Sequence, residues 1–192
     1  LLESVNFVDR IIGRNSDHNL LAMMHALVMP AGLLFIADTR VTQHPTNQEI
    51  AEIALLAAKT VRIMGIRPKV GLLLGSCEDS SSVEGETKAM VDSIRERLPE
   101  IEVELFSEAE LALDEEARNR FMPDANLTGV ANILVMPNAE TAKITLQLLE
   151  KATNSVKIGP ILLGPRLPVQ WLDRFASSHA IVNVTALACA TD

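Results

Sequence analysis

The chain has little cysteine: only Cys77 and Cys189, with no CxxC spacing. That excludes a disulfide scaffold and a paired-thiol metal site, and suits a reduced, cytoplasmic setting. Positive charge is also short. Seventeen basic residues face 25 acidic ones, a formal charge of −8, so nucleic-acid binding has no electrostatic footprint. There is no GxGxxG and no GxxxxGK[ST], so neither a dinucleotide fingerprint nor a P-loop is present. GxSxG is missing too, which leaves Ser76 without a nucleophile elbow. His18, His25, His44 and His179 lie too far apart for metal spacing; His25 reads as a core histidine and the others as loop or surface residues. The start LLESVNFVDRIIG carries acidic residues and no signal-peptide pattern. Low-complexity tracts, internal repeats and Pro/Gly-rich linkers are absent.

What is there is ordinary globular composition, 48% apolar and 22% charged over 192 residues, enough for one sizeable core. One domain spanning 1–192 is expected. The chain opens on Leu, not Met, and is expected to be the C-terminal fragment of a longer one. The apolar stretch LLAMMHALVMPAGLLFIA, residues 20–37, approaches membrane-span length, but His25 and the turn Pro30-Ala31-Gly32 interrupt it. Two buried strands joined by a turn are predicted instead.

From Leu33 onward apolar runs alternate with amphipathic segments. LLFIAD, KVGLLL, IEVEL, ANILVMP and VKIGPILLG read as strands. TNQEIAEIALLAAKTVRIMG, SSVEGETKAMVDSIRERL, SEAELALDEEARNRF, NAETAKITLQLLEKA and a short PVQWLDRFA read as helices, and IVNVTALACA closes the chain. This is the pattern of an α/β protein with helices on both sides of a largely parallel sheet. Thr46-Asn47-Gln48-Glu49 is a capping box, and Ile50, Ile53, Ala54, Ala57, Val61 and Met64 repeat behind it at helical spacing. Ser81 and Ser107 open two further capping-box candidates, and Asn138 can cap the helix after ANILVMP.

Ligands of such sheets bind at the carboxyl ends of the strands, where helix N-termini offer free amides. Four loops qualify: residues 37–46, 75–82, 136–141, and the LLGPRLP segment leading towards Arg174. Each alone is an ordinary capped turn. Cys77 reads as a plain loop cysteine, Arg166 and Asp173-Arg174 as surface charges or phosphate ligands, and Trp171 as an anchor of the short helix or an adenine-stacking face.

The order and spacing of FIADT with the following HPT, the segment GIRPKV, ANILVMPN and IGPILLGPRLPV resemble the phosphate acetyltransferase/butyryltransferase family. The LLAAKTVR helix, PNAETA and IVNVTALA resemble in particular the version fused to the C-terminus of large NADP-dependent malic enzymes, which turn malate into pyruvate and CO2. The resemblance implies a three-layer α/β/α fold with a mixed, largely parallel sheet, of the isocitrate/isopropylmalate dehydrogenase-like kind. Family enzymes exchange an acyl group between phosphate and coenzyme A, using a Ser-Arg pair and a nearby carboxylate base. Here the pair falls on Asp173 and Arg174, and the base falls near Ala180. The Asn expected in the helix after the PN element is Lys143. Asp173, Arg174 are therefore expected to be vestigial, and the domain to be non-catalytic, serving acetyl-CoA sensing and oligomer assembly. The acyl-CoA or acyl phosphate would lie near Asp38, Thr39, Ser76, Ser80, Asn138, Pro160 and Arg174. No cofactor or metal is expected in this domain; NADP and a divalent metal would belong to the malic-enzyme part. The alternatives are an active phosphate acetyl- or butyryltransferase using Arg174, and a ligand-free dimerisation module.

Overall fold

A computed structural model describes residues 2–38, 40–74, 81–172 and 178–190. Helix α1 (Leu2–Ile11) leads into the hairpin of β1 (Ala22–Met29) and β2 (Gly32–Ala37). Then follow α2 (Asn47–Ile63), β3 (Lys69–Leu73), α3 (Ser81–Arg97), β4 (Glu102–Phe106), α4 (Ala109–Leu113) and α5 (Glu115–Phe121). The chain continues through β5 (Ile133–Val135), α6 (Ala139–Ala152), β6 (Val156–Leu163) and α7 (Ser178–Ala190). The six strands form one sheet in the order β4-β3-β5-β2-β1-β6. Neighbours from β4 to β2 are parallel; β1 is antiparallel to both β2 and β6. The architecture is the expected three-layer α/β/α with a mixed sheet. No helix among the described residues is long and apolar enough to cross a membrane.

Alternation along each strand explains the continuous apolar runs. Val70, Leu72, Ile133, Val135, Phe35 and Ala37 point to a core shared with α2 and α3. Leu34, Ile36, Leu73 and Leu134 point the other way, into a core with α4 and α6. A sheet buried on both faces has no polar face to alternate with. On that second side, Met23 and Leu162 pack with Val5 and Val8 of α1. The predicted stripe of α2 is buried, with Ile50, Ile53, Ala54, Ala57 and Val61 all nearly inaccessible. Its capping box is complete: Thr46 Oγ1 accepts from the Glu49 amide and Glu49 Oε2 from the Thr46 amide at 2.8 Å.

Three readings need correction. SEAELALDEEARNRF is two short helices, because extended Asp114 turns its side chain onto the Ala117 amide (3.0 Å) and starts a new helix. A carboxylate free to cap competes with helix continuation. The Ser107 capping box does not form either: Glu108 is the N-cap of α4 and makes no side-chain cap bond. The described part of PVQWLDRFA, residues 168–172, is not helical; Gln170 bridges Ile161 beside β6. Val169 and Trp171 anchor that strap to the α1 core.

At the sheet's margins, β6 carries Lys157 and Pro160 before the strap covers its later part. At the opposite margin β4 carries Glu102 and Glu104; Arg95 donates to the Val103 carbonyl at 3.0 Å. Gly164, where the chain leaves β6, has φ +86°, and a Cβ there would stand 2.0 Å from the Leu20 carbonyl oxygen. Only glycine fits that crossing.

Candidate functional site at the strand ends

The carboxyl ends of β2, β3 and β5 lie level: Ala37 and Leu72 both register with Val135, and the Met136 amide donates to the Ala37 carbonyl at 2.7 Å. The helices that follow these strands therefore start at one edge of the sheet. Asn138 caps α6 there, its Oδ1 accepting from the Thr141 amide at 2.8 Å. A capped helix start with its remaining amides at the strand ends suits an anion.

Asp38 sits at this edge, 3% exposed. Its carboxylate accepts four amides: Met23 at 2.9 Å, Arg40 at 3.1 Å, Val41 at 3.2 Å and Thr42 at 2.7 Å. Burial pushes the Asp38 carboxyl above its usual range; the four amides pull against that without reversing it. Both oxygens thus face the chain itself, and Asp38 shapes the loop after β2. Pro160 lies inside β6, one residue before Ile161, the partner of Met24. The geometry brings Asp38 and Asn138 to neighbouring strand ends and leaves Pro160 two strands away in the order of the sheet. The predicted Thr39, Ser76, Ser80, Asp173 and Arg174 lie outside the described residues, as does Cys77.

Sequence reasoning missed one cluster. His18 is 7% exposed, not a surface residue. Its Nδ1 stands 2.7 Å from Glu52 Oε2, its Nε2 2.7 Å from Lys59 Nζ. Arg97 pairs with Glu52 and its Nη2 comes 3.4 Å from His18 Nδ1. Burial works to raise the Glu52 carboxyl, but hydrogen bonds from Arg97 and His18 outweigh it and hold it below the usual value. The available signal was the seven-residue spacing of Glu52 and Lys59, two turns apart on one side of α2. The cluster separates two clefts. One, about 420 Å³, runs between α2 and α3 past Asn47, Glu52, Glu86 and Arg97. The other, about 240 Å³, lies between α2 and the end of β6, lined by His18, Lys59, Ile161, Arg166 and Gln170 among others.

His25 does lie in the core, 4% exposed, on β1. Burial, then the charges of Lys157 and Arg40, lower its pKa to about 4, with Glu150 working the other way. Among the described residues, no three of His, Cys, Asp and Glu are grouped to hold a metal ion.

The profile of the phosphate acetyl/butaryl transferase family matches residues 3–189. The chain belongs to that family. Relatives of the chain include the NADP-dependent malic enzymes of Salmonella typhimurium and Escherichia coli, each 42% identical over 189 residues. Those matches cover 97% of this chain and 25% of the relatives, so the chain spans about a quarter of their length. The phosphate acetyltransferase of Clostridium acetobutylicum is 34% identical, over 81% of this chain and 48% of its own. A phosphotransacetylase structure from Streptococcus pyogenes superposes with a TM-score of 0.88 at 24% identity, covering 98% of this chain and 59% of that one. That likeness shows the family fold.

Proposed function

We propose that this chain is the phosphotransacetylase-like domain of an NADP-dependent malic enzyme, itself non-catalytic, that senses acetyl-CoA and helps the subunits assemble. The observation that carries the reading is the match of nearly the whole chain to about a quarter of the Salmonella and Escherichia malic enzymes at 42% identity, against 34% to the Clostridium phosphate acetyltransferase. The sequence adds support: Asp173 stands where the family resemblance expects serine, and Ala180 where it expects a base. A carboxylate beside Arg174 repels phosphate, and loss of a general base costs about 10²–10⁴-fold in rate. Asn138 and the first turn of α6 supply donors for a phosphate at the strand ends, and Asp38 holds the neighbouring loop in shape. NADP, the metal and the malate reaction belong to the remainder of the longer protein.

By linkage, an effector that binds two enzyme states unequally shifts activity at a distant site. Calorimetric titration with acetyl-CoA tests this: saturable heat is expected, and no binding at millimolar ligand refutes the sensing role. A transferase reading draws on the retained Arg174. Thioester formation from acetyl phosphate and coenzyme A, abolished by Arg174→Ala, would establish it over the one proposed.

A further inference from the structure

The Glu52–His18–Lys59 chain has a chemical consequence independent of the strand-end site. A lysine ammonium only donates hydrogen bonds, and each imidazole nitrogen either donates or accepts. At 2.7 Å, Nζ and His18 Nε2 hold one proton between them: either Lys59 donates to a bare Nε2, or a protonated Nε2 donates to a neutral amine. In the first form Nδ1–H donates to Glu52 Oε2 at 2.7 Å, fixing the ring with its lone pair on the lysine. Glu52 is kept ionised by Arg97 and stands ready to stabilise an imidazolium. The His18 side chain is only 3% exposed, so bulk water does not compete for that lone pair. This is an amine with a base in contact and a carboxylate behind the base, the arrangement that activates a nucleophile.

Lys59 also lines the 240 Å³ cleft. Leu56, Ile63 and Ile161 give it apolar walls, exposed Arg166 adds a cation, and Gln170 brings a buried carboxamide oxygen that has no hydrogen-bond partner among the described residues. An electrophile with an apolar acyl part and an anionic leaving group matches that lining.

We propose that Lys59 is a self-acylation site that takes its acyl group from an acyl phosphate. Nζ attacks the carbonyl carbon and forms the C–N bond. The C–O bond to phosphate breaks, and phosphate departs with the bonding pair. Nζ gives up two protons in turn, each through His18 Nε2 with the imidazolium held by Glu52: the first before attack, which frees the lone pair, and the second as the amide forms; one ends on the departing phosphate and the other in solvent. The product is a neutral amide, so the cleft loses one positive charge.

The test treats the full chain with acetyl phosphate and follows each acetyl-lysine by mass spectrometry. Lys59 should be acetylated roughly tenfold or more faster than Lys88, Lys143 and Lys151, within the range of general-base assistance. His18→Gln and Glu52→Gln should each bring Lys59 down to the rate of those lysines while leaving the others unchanged. Equal or slower acetylation of Lys59 in the wild-type protein overturns the proposal, whether or not the variants fold; so does an unchanged Lys59 rate in folded His18→Gln. A parallel reaction with p-nitrophenyl acetate, which carries neither phosphate nor coenzyme A, should show a smaller preference for Lys59. An equal or larger one would overturn the assignment of a donor that already bears a charged phosphate. Neither arm depends on acetyl-CoA binding, so failure here and failure of the sensing role are separate results.

Discussion

Acidification should destabilise this fold through His25 before most carboxylates titrate. The imidazole is buried and its pKa is about 4 in the folded protein, against about 6.5 when unfolded. Between those values the unfolded chain binds the proton and the folded chain does not. The stabilisation is therefore fully present above pH 6.5 and is lost as the pH falls towards 4. Inserting the two pKa values gives a loss of roughly 2–3 kcal/mol from His25 between pH 7 and pH 4.5. With a urea slope of about 1–3 kcal/mol per molar, that is a midpoint shift of roughly 1 M. His25→Leu removes the titration, whatever its effect on stability at pH 7. Urea unfolding of both proteins at pH 7 and 4.5 supplies the comparison. The wild type should lose roughly 2 kcal/mol more than the variant on acidification. Equal losses would refute the reasoning, as would an NMR titration placing His25 near 6.5.

Other outcomes follow from the same geometry. Asp38→Ala strips four amides of their acceptor, including that of Met23 in buried β1, and should cost about 2–4 kcal/mol in denaturant unfolding; a loss below about 1 would contradict the clamp. Gly164→Ala drives a Cβ into the Leu20 carbonyl and should lower stability by more than about 3 kcal/mol, read as a fall in Tm; an unchanged Tm would contradict it. Burial tends to raise the Glu102 carboxyl, but the bonds from Thr128 and the charges of Lys69 and Arg67 hold it below its ordinary 4.5. Its contribution is present above pH 4.5 and lost as pH falls through the lower folded value. Glu102→Gln should accordingly cost about 1–2 kcal/mol at pH 7. The gap to wild type should close in acid, and a gap that persists at pH 2 would refute the assignment.

The strands and longer helices were legible because their causes are local. The capping box at Thr46, the stripe behind it and the turn at Pro30-Ala31 are each set by residues within a few positions. What local pattern could not show was competition and distance. Asp114 looks like one more polar residue on a helix face until its side chain is seen on the Ala117 amide. His18 owes its burial to Glu52 and Lys59, 34 and 41 residues away, and no periodic signal links them. At the strand ends, Asn138 was recognisable as a cap. That Asp38 spends its carboxylate on four amides was not, because its partners include a strand fifteen residues earlier.

The margins of the sheet limit how copies of this chain can join. A bare outer strand is a template on which a second chain can add its own, running one sheet into the next. On β6, Lys157 and Pro160 oppose such pairing and the Gln170 strap occupies the strand at Ile161. On β4, Glu102 and Glu104 place charge on the outer strand, and the Val103 carbonyl is already taken by Arg95. These features disfavour sheet-to-sheet pairing between copies of this chain and guard it against edge-to-edge aggregation while it folds.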